Sequence, residues 1–213
     1  MAKKKTYEEW LAEVEEDGTK LRYVPEDMRT KEMCLTAVAA WQSEPPLDTL
    51  KYVPKEHITK ELLHAAINRY GTPLEFFPEE MIEESDVITA IETTSDTYEP
   101  IIDIPRKFLT KKVCLLALET FDFDEEDILD DFLSDIPDEV WYDKDFMSAV
   151  FGKEYGFEFK HIAHLLEKED FYRYFWPIFR DVNYDAQYVD AAKEDYLNLF
   201  PERLQEQVKK AIE

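Results

Sequence analysis

The chain is poor in glycine. Four Gly among 213 residues leave no room for a phosphate-cradling glycine loop and argue against a β-rich chain full of tight turns. No window alternates apolar and polar residues with period two, so half-buried strands are not expected. No apolar run reaches the roughly 18 residues that a membrane span needs. The start M-A-K-K-K-T-Y-E-E lacks the apolar stretch of a secretory signal. Cysteine is scarce as well, with only Cys34 and Cys114. Their positions read as core thiols in a reducing compartment, and a cytoplasmic location is expected. Cations are few: 25 Lys and Arg against 49 Asp and Glu give a net charge of −24. Direct binding to nucleic acid is therefore not expected, because phosphates are neutralised by Lys and Arg.

What is present is a repeated string. It reads L-R-Y-V-P-E-D-M-R-T from Leu21 and L-K-Y-V-P-K-E-H-I-T from Leu50. Weaker copies surround Pro78, Pro105 and Pro137. From Pro25 onward the prolines are spaced by 29, 24, 27 and 32 residues. That period range belongs to helical arrays. The residue before a Pro is pushed out of the α region, so a helix ends there, and Pro itself suits a first helical position. Thr30, Thr59 and Thr110 each follow a repeat proline by five residues and are placed to cap the next helix.

Apolar residues then recur nine, twelve and thirteen positions after each Pro. They are Cys34, Ala37 and Val38; Leu63, Ala66 and Ile67; Val87, Ala90 and Ile91; Cys114, Ala117 and Leu118; and Phe146, Ala149 and Val150. Offsets of three and four make one helical stripe. Ala in the middle slot suits a close helix crossing. Thr6 and Glu9 form a capping box, with Trp10 and Val14 in the stripe. Gly18 and Gly71 suit left-handed helix ends. Each unit is a longer helix, a turn, a short second helix and a Pro turn. The expected fold is all-α, a short α-solenoid of about seven degenerate helix–turn–helix repeats, since neighbouring units must bury each other's faces. We expect one domain over 1–213, with clear repeats over about 6–150 and an aromatic-rich cap over about 151–213. In the cap, Pro177 is expected to kink or shorten its helix. The run from Phe171 to Phe179 looks too apolar all round for one buried face; most of its rings read as core of the closing cap, and some as interface anchors.

The strings from Leu21 to Val38 and from Leu50 to Ile67 resemble a bacterial helical-repeat family of unknown function. Its units carry Leu-x-Tyr-Val-Pro, then Thr, then an apolar-Cys helix. The resemblance implies the fold and no activity, and no catalytic residue transfers with it.

The charge is not spread evenly. Residues 75–103 carry ten acids and no Lys or Arg, and residues 119–145 carry thirteen acids and one Lys. These two stretches hold −22 of the −24. Three readings are open. The acids keep an apolar array soluble, or they dock a basic protein partner, or they imitate nucleic-acid phosphates. The expected function is a non-enzymatic binding protein for a basic partner. The candidate contact residues are Glu83, Glu84, Asp86, Asp122, Asp124, Glu125, Glu126, Asp127, Asp130 and Asp131. The alternative is a nucleic-acid mimic that inhibits a DNA- or RNA-binding machine, of the kind a phage or mobile element encodes. No cofactor and no metal are expected. Asp122 to Asp127 begins like a calcium loop, but Asp127 stands where that loop needs Gly, and Leu133 where it needs Glu. Glu61-x-x-His64 and Glu158-x-x-His161 have di-iron spacing, but they fall at different places in the repeat. His161 and His164 at i, i+3 read as ordinary histidines. No G-x-S-x-G occurs, and a thiol in an apolar slot is protonated and inert.

Overall fold

The repeated string builds the same local structure at each copy. The apolar residue before each proline is buried: Val24, Val53, Phe77, Ile104 and Ile136. In four copies its N–H donates to the carbonyl three residues back, from Val24 to Leu21, Val53 to Leu50, Phe77 to Leu74 and Ile136 to Leu133. Those four Leu are buried too. Just past Pro25, Pro54, Pro78 and Pro105 comes a single 3₁₀ turn, and past Pro137 one α turn. The proline carbonyl takes the N–H three residues on in all five copies, at 2.8–3.0 Å. Proline thus stands just before each turn, not inside it as its first residue. It ends one element and supplies the acceptor that opens the next.

The computed structural model describes residues 4–40, 47–71, 74–93, 104–121, 132–151, 165, 169–183, 189–198, 200 and 202–212. Among these the structure is all-α, with no strand. The helices are α1 (Tyr7–Glu16), α2 (Lys31–Ala39), α3 (Leu47–Leu50), α4 (Lys60–Tyr70), α5 (Glu84–Thr93), α6 (Lys111–Thr120), α7 (Asp138–Trp141), α8 (Lys144–Phe151), α9 (Glu169–Asn183), α10 (Val189–Asn198) and α11 (Glu202–Ile212). The chain divides into two compact units, residues 1–108 and 109–213.

The expected caps are in place. Thr30, Thr59 and Thr110 accept the N–H of Met33, Leu62 and Val113 at 3.3–3.4 Å. Thr6 and Glu9 close a reciprocal capping box. Gly71 ends α4 with φ +81°, where a Cβ would clash. Gly18 does not play that role. Asp17 ends α1 in extended conformation, and its side chain caps the 3₁₀ helix that begins at Gly18.

In the first unit α1 packs on α2, α2 on α4 and α4 on α5, a nearest-neighbour arrangement. The residues at their contacts are the stripe named above. Cys34, Ala37, Val38, Leu63, Ala66, Ile67, Val87, Ala90 and Ile91 are all at most 1% exposed. In the second unit Cys114, Ala117, Leu118, Phe146 and Val150 are equally buried, while Ala149 is half-buried. Ala66→Leu and Ala117→Leu are each expected to lower stability by about 1–3 kcal/mol, because extra methylenes in a packed crossing force strain. Urea unfolding followed by circular dichroism checks this; neutral changes in both would remove Ala from the crossings.

The second unit closes on α9. Phe171, Tyr172, Phe175, Trp176, Ile178 and Phe179 are buried, while Arg173, Pro177 and Asp181 are exposed. The run is not apolar all round. One broad face is covered because α8, α10 and α11 pack around it. Those rings form core, so they are not free as interface anchors. Pro177 does not shorten the helix, which runs 15 residues through it. Pro177 and Arg173 lie on the exposed side, where water can serve the Arg173 carbonyl that has lost its N–H partner. Around the Tyr196 ring stand Phe175, Trp176, Phe179 and Phe200 at 5.1–5.5 Å, and its hydroxyl donates to the Tyr172 carbonyl at 2.9 Å. Helix α11 buries Leu204, Val208 and Ile212 and exposes Glu202, Glu206, Lys209 and Lys210, the polar outer face of a capping element.

Candidate functional site

The first helical residue of one repeat reaches the first turn of the next. The Tyr7 hydroxyl lies 2.9 Å from Thr30 Oγ1 and donates to Glu32 at 3.2 Å. Lys31 pairs with Glu61 at 2.5 Å. Lys60 pairs with Asp86 and lies 3.6 Å from Glu83. In the second unit Lys111 pairs with Asp143 at 2.9 Å and Asp145 at 2.7 Å. The exposed members of this ladder contribute little stability each, because water screens them. Each of them joins one repeat helix to the start of the next.

One rung differs. Asp86 is buried, with its side chain 6% exposed. Its Oδ2 accepts from Lys60 Nζ and, at 2.8 Å, from the Glu83 N–H at the start of α5. Its Oδ1 lies 3.0 Å from His64 Nε2. Lys60 Nζ also donates to the Met81 carbonyl at 2.9 Å. Burial alone would raise the Asp86 carboxyl. The hydrogen bonds from Lys60, the Glu83 N–H and His64 outweigh burial and hold it below the usual carboxylate range. Beside this cluster a half-open cleft of about 300 Å³ lies between α4 and α5, lined by His64, Ile67, Asn68, Ser85, Asp86 and Thr89.

The candidate contact residues are thus separated. Glu83 and Glu84 are exposed, and Glu75, Glu79 and Glu80 join them on the surface of the same repeat. Asp86 is turned inward and tied to Lys60 and His64, so its carboxylate does not belong to an outer docking face. Asp122, Asp124, Glu125, Glu126, Asp127, Asp130 and Asp131 lie outside the described residues, as do Glu158, His161 and His164. Glu61 and His64 do not converge on one point; Glu61 pairs with Lys31 and His64 with Asp86. Among the described residues no group of three or more His, Cys, Asp and Glu could hold a metal ion. Burial pushes the Cys34 thiol up to about 11 and the Cys114 thiol up to about 12, so neither is a ready thiolate nucleophile.

Sequence reasoning missed Lys60 and His64 as partners of Asp86. The signal was there in part. Lys stands six residues after Pro25, Pro54 and Pro105, and Asp eight residues after Pro78 and Pro137. Those two positions meet across neighbouring units. Among the described residues no helix is long and apolar enough to cross a membrane. No family model, no curated protein and no solved structure matches the chain.

Proposed function

We propose that this chain is a non-enzymatic helical-repeat protein of the cytoplasm that docks a basic protein partner through its acidic middle repeats. The observation that carries this reading is the segregation of charge. Nearly all of the net charge sits in two stretches; among their described residues, Glu75, Glu79, Glu80, Glu83 and Glu84 of the first and Glu119, Asp135, Glu139 and Asp145 of the second are exposed. A surface field of one sign raises the encounter rate with a basic protein and rejects acidic ones. The stacking within residues 1–108 supports a short α-solenoid as the scaffold, and stacked repeats offer extended binding surfaces. The buried free thiols fit a reducing compartment.

The test is affinity capture from the native host, followed by elution at rising salt. A basic protein released progressively as salt screens charge supports the reading. A partner that stays bound at high salt contradicts it. Displacement of the partner by added DNA or RNA would narrow the function to phosphate mimicry.

A further inference from the structure

We propose that the cleft between α4 and α5 receives a cationic side chain, the guanidinium of Arg or the ammonium of Lys, from that basic partner. The inference rests on the reading above and gives it a specific contact. The cleft, at about 300 Å³, is at the small end of ligand pockets, which run from about 300 to 1,000 Å³. Its lining is rich in acceptors. The ionised Asp86 carboxylate can only accept, so His64 Nε2 is the donor in their 3.0 Å hydrogen bond. Thr89 donates its hydroxyl hydrogen to the Ser85 carbonyl at 2.9 Å, which leaves its oxygen lone pairs to accept. Asn68 adds an amide oxygen. Lys60 is held on the Oδ2 side of Asp86 and by the Met81 carbonyl, and it does not line the cleft. Oδ1 therefore has the imidazole as its neighbour on the cleft side.

A donor-only group suits such a lining, whereas an anion would meet the Asp86 charge and unshared lone pairs. Exposed Glu92 follows Thr89 by three residues on α5, so it continues the same face of the helix and adds negative charge.

The test uses the full chain and a pair of small probes, N-acetyl-arginine amide and its neutral urea isostere, N-acetyl-citrulline amide. Binding is read from the ring signals of His64 by nuclear magnetic resonance, assigned with His64→Gln. The expected result is a saturable shift with the arginine probe and none with the citrulline probe. Thr89→Val should weaken binding about tenfold, the effect of one lost hydrogen bond to a charged group. Asn68→Leu should weaken it in the same direction, and both positions are exposed enough to leave the fold intact. Equal shifts with both probes, or no saturable shift, would overturn the proposal. If that happens while the captured partner is still released by salt, the cleft is discarded and the acidic-surface reading stands. If the partner also ignores salt, both fall.

Discussion

Tyr196→Ala is expected to destabilise the second unit by about 3–5 kcal/mol, the range for removing a large buried aromatic from a core. The reason is its position. Tyr196 is fully buried and touches four rings from α9 and the segment before α11. Few neighbouring side chains are free to collapse into the void, because Phe175, Trp176 and Phe179 are held along one helix. Tyr196→Phe separates ring from hydroxyl. It keeps the packing and removes only the hydrogen bond to the Tyr172 carbonyl, which contributes about 1 kcal/mol. Burial raises the Tyr196 phenol, so the hydroxyl stays a donor across the ordinary pH range. Urea unfolding followed by tryptophan fluorescence reads both variants, since Trp176 lies 5.2 Å from the Tyr196 ring. A loss below about 1 kcal/mol for Tyr196→Ala would contradict a core built around this residue.

Asp86→Ala is expected to lower the stability of the first unit by about 2–3 kcal/mol. Removing one partner from a buried ion pair typically destabilises by about 3–5 kcal/mol. The lower figure applies because Lys60 and His64 are 35% and 54% exposed and can turn to water. The Glu83 N–H at the start of α5 also loses its acceptor. Asp86→Asn keeps the shape and much of the cap, so it should lose less. The pH dependence has a definite sign. The folded-state pKa of Asp86 is lowered, so its contribution is present above the unfolded carboxylate pKa of about 3.9 and is lost as pH falls through the folded value. The parent should therefore lose stability in acid more steeply than Asp86→Asn. Thermal melts from neutral pH down to acid, run on both proteins, check this. Identical acid slopes would show that Asp86 is not held as the geometry indicates.

These two residues also mark what the sequence makes legible. The stripe of Cys34, Ala37 and Val38 and its copies could be read directly, because helical period and proline spacing are local properties. The Thr caps were legible for the same reason. Asp86 was not. Its sequence context is a run of acids, and only the stacking of α5 on α4 brings Lys60 and His64 to it. The Lys six residues and the Asp eight residues after the repeat prolines carry that information, but in pairs that a single pass along the chain does not join. Pro177 does not shorten α9, because proline's effect depends on which side of the helix it occupies. Arg173 and Pro177 lie on the exposed side of α9, where the freed carbonyl is open to water. The aromatic run was legible as core of the closing cap, but the share of it that is buried was not. Three partner helices cover a wider arc of α9 than a surface helix normally buries.

The central claim is that the acidic repeats steer a basic partner. Its most direct test is an association rate. In one variant Glu75, Glu79, Glu80, Glu83 and Glu84 become Gln, and the acids at 122, 124, 125, 126, 127, 130 and 131 become Asn or Gln. Asp86 is left in place so that the α4–α5 contact survives, and circular dichroism confirms the fold. Stopped-flow mixing with the captured basic partner is run for parent and variant at low and at high salt. The account predicts association at least about tenfold slower for the variant at low salt, because the steering field is gone. The difference should close at high salt, where charges are screened within a few ångströms. Equal rates at low salt would contradict the claim and leave the acids as a solvated surface.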